Sequence, residues 1–201
     1  MKIRTVATVV AGLGLGLLVY TQLIAAPTAG EAKAQIGQSA PDFSLKDSFG
    51  KTFSLSEFKD RIVVLEWMNK DCPFVVEAHN KKRVMQNTYA KFAGKGVIWL
   101  GIDTTHGRQV EHNRIWAAEA GLAYPILFDE EGKVGRAYGA TNTPHMFVID
   151  KAGKLAYMGA IDDKGEVNYV EKAIKELLDD KTVSTPKTPP YGCNVKYPPA
   201  P

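Results

Sequence analysis

The chain has 201 residues, of which 25 are basic and 22 acidic, and it contains two cysteines. Its longest basic run is the trio from Lys81 to Arg83, a pattern more typical of a solvated helix face than of a binding site. A formal net charge of +3 without a larger basic cluster argues against a nucleic-acid partner.

Residues 1–34 have the pattern of an export signal. Lys2 and Arg4 form a short positive region, and an apolar run follows from Val6 to Ala26. The segment Ala32–Ala34 then offers the small-x-small pattern that signal peptidases cleave. The apolar run is also close to the length of a membrane span, so an uncleaved N-terminal anchor through residues 6–26 is the alternative. In either case we expect an exported protein, periplasmic or otherwise extracytoplasmic and free or anchored to the inner membrane, where disulfides can form.

The rest of the chain is long enough for one domain with a sizeable core. In chain order we predict a hairpin over Pro41–Leu55, a strand over Arg61–Trp67, a helix from Pro73 to about Phe92, a strand over Gly96–Asp103, a helix over Gln109–Ala120, a strand over Tyr124–Asp129, a hairpin over His145–Asp162 and a helix over Glu166–Leu178. Helices between buried strands imply parallel pairing, so the pattern predicts a three-layer α/β domain over residues 36–181.

The composition changes at Thr182. Six of the eleven prolines lie between Pro186 and Pro201, which predicts an extended tail over residues 182–201 without a core of its own. This tail carries the second cysteine, Cys193, within the segment YGCNV.

Cys72 follows a predicted buried strand and precedes Pro73, a residue suited to the first position of a helix. Cys72 is therefore predicted at the helix N-cap, where unpaired N–H groups and the helix dipole favour the thiolate. Such placement lowers a thiol pKa from about 8.5 into a range of roughly 3.5–7.5. Val75 stands where a CxxC motif would have its second cysteine, so the nucleophile has no partner nearby in sequence.

Two further features of the sequence bear on the chemistry at Cys72. Thr143 and Pro144 come immediately before a predicted strand, and a cis Pro144 would expose the Thr143 backbone to an incoming extended chain. A plain loop proline is the alternative. Glu66 lies on the buried strand that leads to Cys72, and a carboxylate there needs a partner or a raised pKa. It is either a proton acceptor for thiol exchange or a solvent-facing residue at the end of the strand.

The segments VVLEWMNKDCPFV, TPHMFVID with the glycine of YMGAIDD, and YGCNVKY together resemble the peroxiredoxin-like, or redoxin (AhpC/TSA), branch of the thioredoxin superfamily. The resemblance covers nearly all of residues 36–197. It implies a thioredoxin-like α/β fold, with three layers around a central mixed sheet and an N-terminal β-hairpin extension. It also implies a nucleophilic Cys72, a cis Pro144 beside it and a thiol-redox activity.

The sequence departs from the redoxin relatives at two places. True peroxiredoxins carry a proline seven residues and a threonine three residues before the peroxidatic cysteine, and here Leu65 and Asn69 occupy those positions. Asn69 still offers a polar group near the thiol. Val75 removes the resolving thiol of a CxxC pair, which leaves a thioredoxin-like location without the thioredoxin dithiol.

Cys193 is the other cysteine of the chain, and two cysteines in an oxidising compartment invite pairing. We expect YGCNV to fold back across the Cys72 helix terminus, with Gly192 easing the turn. Cys193 would then resolve a sulfenic acid or mixed disulfide formed at Cys72. The alternatives are a static Cys72–Cys193 bond that only stabilises the fold, and a bond between two chains.

The first functional hypothesis is an exported thiol–disulfide oxidoreductase in which Cys72 attacks, Cys193 resolves, and Thr143 with Pro144 presents the substrate. The second is a thiol peroxidase acting on hydroperoxides, and the third is a redox-inert binding domain. The expected partners are protein thiols or disulfides, or a hydroperoxide, together with an external thiol as electron donor. We expect no cofactor and no metal, because no ligand spacing such as CxxxC or HxxH accompanies the cysteines.

Overall fold

The computed structural model describes residues 33–199, so the predicted export signal or anchor lies outside the described residues except for its last two positions. Within residues 33–199, no helix combines the length and the apolar character that crossing a membrane requires.

The strands of the described chain are β1 (Ser44–Asp47), β2 (Thr52–Ser54), β3 (Val63–Trp67), β4 (Ile98–Asp103), β5 (Ile126–Phe128), β6 (Asn142–Thr143), β7 (His145–Ile149), β8 (Leu155–Gly159) and β9 (Cys193–Asn194). Its helices are α1 (Pro73–Val76), α2 (Val84–Ala93), α3 (Val110–Glu119), α4 (Lys133–Tyr138) and α5 (Tyr169–Leu178), with a 3-10 turn at Leu55–Phe58 and a π-helical turn at Glu77–Lys81.

Seven strands form one mixed sheet in the order β2-β1-β5-β4-β3-β7-β8. β3, β4 and β5 are parallel, whereas β7 runs antiparallel to β3 and to β8. The N-terminal hairpin β1–β2 extends the sheet because β1 pairs antiparallel with β5. The predicted thioredoxin-like fold with a mixed central sheet and an N-terminal hairpin is therefore confirmed.

All five residues of the central strand β3 are buried. Since successive side chains of a strand point to opposite sides of the sheet, β3 is covered on both faces. Val64 packs with α2 and α5 in one core. Leu65 and Trp67 pack with Tyr138 of α4 in the other. The two cores hold the end of β3, and with it the loop that carries Cys72, in a rigid frame.

The predicted single helix from Pro73 to about Phe92 is wrong. α1 passes into the π-helical turn, Arg83 adopts a left-handed conformation with φ of 51°, and α2 starts at Val84. The wide turn buries both Ala78 and His79, and His79 meets the carboxylate of Glu66 there. A tertiary contact thus overrides the local helical pattern. α4 was not predicted either, because the segment before it resembles a simple turn.

Residues 182–199, hereafter the strap, run along the surface of the domain. Beside β8, the strap accepts a hydrogen bond at Pro186 O from Met158 N (3.0 Å) and donates one from Thr188 N to Met158 O (3.1 Å). Farther along, β9 pairs antiparallel with β6, and Lys196 O accepts a bond from His106 N at 2.8 Å. These contacts place Cys193 near the carboxyl end of β3.

Candidate active site

Cys72 is the N-cap of α1, and Pro73 occupies the first helical turn. The Cys72 amide donates to Asn69 O at 3.0 Å, and Cys72 O accepts from Val76 N at 2.9 Å. The thiol is buried, with 2% of the residue exposed. Local sequence alone explains this position, since an extended residue before a helix-starting proline is a natural cap.

The strap brings Cys193 directly over Cys72. Their Sγ atoms are 2.8 Å apart and both thiols are free, so a disulfide of about 2.05 Å needs a movement of less than one ångström. Cys193 pairs with Thr143 in the β6–β9 ladder, and Asn142 Nδ2 donates to Gly192 O at 3.2 Å. The two cysteines, 121 residues apart in sequence, thus form one dithiol site.

The two thiols have pKa values shifted in opposite directions. Burial raises the pKa of Cys72, but hydrogen bonds from the Cys193 thiol and from backbone N–H groups outweigh it, so the pKa lies below its ordinary value. Burial and the hydrogen bond to Cys72 raise the pKa of Cys193 to about 11. Of the two thiols, Cys72 is therefore the one that ionises more readily.

The peptide bond between Thr143 and Pro144 is cis. The Cys72 thiol donates a hydrogen bond to Thr143 O at 3.0 Å, so this backbone is next to the thiol. The strand edge at Thr143, expected to receive an incoming chain, is occupied by β9 of the protein's own strap.

Asn69 and Asp71 shape the loop before Cys72, and Arg108 holds both. Arg108 Nη2 donates to Asn69 Oδ1 at 2.9 Å and to Asp71 Oδ2 at 2.7 Å, while Asp71 N donates to Asn69 Oδ1 at 2.9 Å. Arg108 also lies 3.4 Å from the buried carboxylate of Asp103. Sequence reasoning missed Arg108. A usable signal existed, since loops after parallel strands meet at the carboxyl edge of a sheet.

Glu66 is fully buried, so the solvent-facing interpretation of this residue is wrong. Its Oε1 lies 2.6 Å from Nε2 of His79, and its Oε2 accepts hydrogen bonds of 3.0 Å from Trp99 Nε1 and Tyr124 Oη. The His79 ring packs edge-on against Trp116, which lines the Cys72 cluster. Within the described residues, none of the hydrogen bonds of Glu66 reaches Cys72 directly.

The part of the chain that the structure covers contains no group of three or more His, Cys, Asp or Glu side chains arranged to hold a metal ion. The chemistry that the site can perform with its own groups is thiol–disulfide exchange between a thiolate at a helix N-terminus and a second thiol in contact with it.

Comparison with known proteins agrees with this chemistry. The thiol–disulfide oxidoreductase ResA of Bacillus thuringiensis subsp. konkukian is 30% identical over 125 residues, which are 62% of this chain and 69% of that protein. ResA of Bacillus subtilis is 28% identical over 153 residues, or 76% of this chain and 80% of its own length.

Solved structures show the same fold. A hypothetical protein from Sinorhizobium meliloti 1021 superposes with a TM-score of 0.76 at 29% identity, covering 84% of this chain and 97% of the other. A putative thiol:disulfide interchange protein DsbE from Chlorobium tepidum has a TM-score of 0.59 at 22% identity, covering 74% and 98%. The family model described as the AhpC/TSA family matches residues 36–158. The chain belongs to the AhpC/TSA family.

Proposed function

We propose that this protein is an exported thiol–disulfide oxidoreductase in which Cys72 is the nucleophile and Cys193 the resolving thiol. The observation that carries the proposal is the 2.8 Å contact between the two Sγ atoms at the N-terminus of α1. The names of the ResA relatives, thiol–disulfide oxidoreductases, support the reaction class. The resulting substrate class is protein disulfides, with an external thiol as electron donor.

The reaction starts from the Cys72 thiolate and the Cys193 thiol. The Cys72 thiolate attacks one sulfur of a substrate disulfide, forms a mixed disulfide and releases the other substrate sulfur as a thiolate, which takes a proton. Cys193, deprotonated in this step, then attacks Cys72 Sγ and releases the second substrate thiol. The substrate gains two electrons, and the enzyme ends with a Cys72–Cys193 bond.

The neighbouring residues support these steps. Thr143 and Pro144 offer the backbone edge that a substrate chain takes when the strap lifts, and that the strap holds at other times. Pro73 starts the helix whose Val75 N–H group helps to lower the Cys72 pKa, and Asn69 O accepts the Cys72 amide within the loop. Glu66 acts at a distance, because it fixes His79 behind the cluster that contains Cys72.

The same proposal assigns the parts of the chain. Residues 1–34 are the export signal or inner-membrane anchor, residues 36–181 are the redox domain, and residues 182–201 are a tail that supplies Cys193. An extracytoplasmic location, periplasmic in a bacterium with two membranes, fits a dithiol site that cycles through a disulfide.

Thiol peroxidase activity is less well supported by the site. Leu65 stands at the proline position of peroxiredoxins and is buried in the core. Asn69, at the threonine position, has its side-chain oxygen engaged by Arg108 and by the Asp71 amide. No hydroxyl group is therefore supplied at that position to hold a peroxide.

A redox titration followed by thiol alkylation and mass spectrometry tests the proposal. A Cys72–Cys193 bond with a reduction potential between roughly −120 and −270 mV matches working oxidoreductases. A reduction potential more negative than about −300 mV marks a structural bond and favours the redox-inert binding domain. Reduction of insulin disulfides should be lost in Cys72→Ser. Fast turnover of hydrogen peroxide would instead favour the peroxidase, and failure of the two cysteines to pair within one chain would refute the resolving role of Cys193.

A further inference from the structure

The strap lies where the proposed function places a substrate chain. β9 pairs antiparallel with β6, with Cys193 opposite Thr143, and the Cys193 sulfur is 2.8 Å from Cys72 Sγ. A substrate sulfur has to reach a similar position before Cys72 can attack it. The residues next to Cys193 therefore show which side chains the strand edge beside Cys72 accommodates.

Two contacts hold this part of the strap through its backbone alone. Asn142 Nδ2 donates to Gly192 O at 3.2 Å, and Val195 N donates to Thr141 O at 3.0 Å. Any extended chain can make both contacts, because each uses only a backbone group of the strap. They fix the register of an incoming chain but do not select its sequence.

The residue immediately before Cys193 has to be small. Gly192 has a φ of +115°, and a Cβ there would lie 2.1 Å from the carbonyl oxygen of Thr143. A substrate chain that follows the same path meets the same backbone atom, and no side-chain rotation removes it. The position before the reacting cysteine therefore selects glycine.

The ring of Tyr191, two residues before Cys193, fills a pocket formed by Phe74, Asp162 and Lys164, hereafter the Tyr191 pocket. Tyr191 Oη donates to Asp162 Oδ1 at 2.6 Å. The ring centroids of Tyr191 and Phe74 are 6.2 Å apart, and Lys164 Nζ lies 4.5 Å from the Tyr191 centroid. The pocket thus provides an aromatic neighbour, a cation over the ring and an acceptor for the hydroxyl group.

The walls of the Tyr191 pocket belong to the domain and contact one another without the strap. Phe74 lies in α1, two residues after Cys72, and Lys164 Nζ is 5.5 Å from its ring centroid. Lys164 N donates to Asp162 Oδ1 at 3.1 Å. The pocket therefore remains available to another chain when the strap lifts.

We infer that the Tyr191 pocket is a specificity subsite for the substrate residue two positions before the reacting cysteine. It selects an aromatic residue there, with tyrosine preferred, and the approach to Thr143 selects glycine between that residue and the cysteine. The inference rests on the proposed function and names its substrate class: extended segments with the sequence Tyr-Gly-Cys whose cysteine is in a disulfide. Substrate and strap compete for one pocket.

The test uses the full chain carrying Cys193→Ser, so that an adduct at Cys72 is not resolved. The substrate is the peptide acetyl-Tyr-Gly-Cys-Asn-Val-amide, with its cysteine joined to 2-thiopyridine. The Cys72 thiolate attacks the peptide sulfur and forms a Cys72–peptide disulfide. The bond to the pyridine sulfur breaks, and 2-thiopyridone leaves with the electron pair and takes a proton. Absorbance of the released thiopyridone gives the rate, and mass spectrometry identifies the adduct.

Three matched peptides carry phenylalanine or alanine in place of tyrosine, or alanine in place of glycine. Each rate is divided by the rate of the same peptide with glutathione, which removes differences in intrinsic reactivity. Docking of the strap hinders every peptide equally, so it cancels in the ratio of two peptides. The Tyr-Gly-Cys peptide should react at least about tenfold faster than the Ala-Gly-Cys and Tyr-Ala-Cys peptides, with the Phe-Gly-Cys peptide in between.

A second variant links the preference to the pocket. Asp162→Ala removes the acceptor of the hydroxyl group, so it should abolish the advantage of the tyrosine peptide over the phenylalanine peptide. Asp163→Ala is the control and should keep that advantage, because Asp163 Oδ1 accepts only from Gly165 N and Val167 N within its own loop.

Equal rates for all four peptides would overturn the inference and leave the oxidoreductase intact. A tyrosine advantage that persists in Asp162→Ala would overturn it as well. If Cys72 reacts with none of the peptides faster than glutathione does, the nucleophile of the proposed function fails, and the inference fails with it.

Discussion

Gly192→Ala should uncover Cys72 by lifting the strap. Gly192 has a φ of +115°, and a Cβ at this position would lie 2.1 Å from the carbonyl oxygen of Thr143 and 2.9 Å from its carbonyl carbon. Both are backbone atoms, so no side-chain rotation relieves the overlap, and β9 has to move away from β6.

The expected size of the effect follows from the backbone conformation. A residue other than glycine in a sparsely populated φ region costs of order 1–3 kcal/mol, and the overlap with Thr143 adds to this. A loss of about 2 kcal/mol in strap docking corresponds to a roughly 30-fold larger fraction of molecules with Cys72 open to solvent.

Alkylation of Cys72 by N-ethylmaleimide in the reduced protein measures this fraction. Because loss of the hydrogen bond from Cys193 also changes the Cys72 pKa, the rates are compared on the alkaline plateau of their pH profiles. The plateau rate should rise by up to about 30-fold in Gly192→Ala. Gly153→Ala is the matched control, since Gly153 also has a positive φ (+75°) but has nothing within 4 Å of its added Cβ. An unchanged plateau rate in Gly192→Ala would refute the argument that the strap covers the nucleophile.

Three further outcomes are expected. Burial and the charge of Lys187 lower the pKa of His145 to about 4. Between about pH 6.5 and 4 the unfolded chain therefore binds a proton at this residue that the folded chain does not. Roughly 3 kcal/mol of the free energy of unfolding should be lost as pH falls through this window. In His145→Asn, the free energy of unfolding measured by urea denaturation should fall less over the same pH window. Glu66→Ala should lower the free energy of unfolding by about 3 kcal/mol or more, because it leaves its buried polar partners unpaired; a cost below about 1 kcal/mol would contradict this. Arg108→Ala should slow insulin reduction by roughly tenfold, because it removes the two hydrogen bonds that Nη2 donates to the Cys72 loop. Arg114→Ala, at an exposed pair with Glu111, should not slow it.

Local patterns predicted much of the fold because they act over a few residues. Alternation around a Gly–Lys turn predicted the β1–β2 hairpin, and the run from Arg61 to Trp67 predicted β3. The helix after Pro73 was placed correctly at its start but not along its length, since Arg83 turns left-handed where nothing in the local sequence requires it. The structure buries His79 in that turn against Glu66, a contact between residues on different elements.

The sequence by itself determined the fold class and the position of the nucleophile. A buried strand, a cysteine and a helix-starting proline in succession place Cys72 at an N-cap through local backbone chemistry. Only the tertiary structure decided that Cys193, 121 residues away, lies 2.8 Å from it. That contact depends on the close approach of Gly192 to Thr143 and on strap contacts spread over the domain, and such long-range packing leaves no periodic pattern in the sequence.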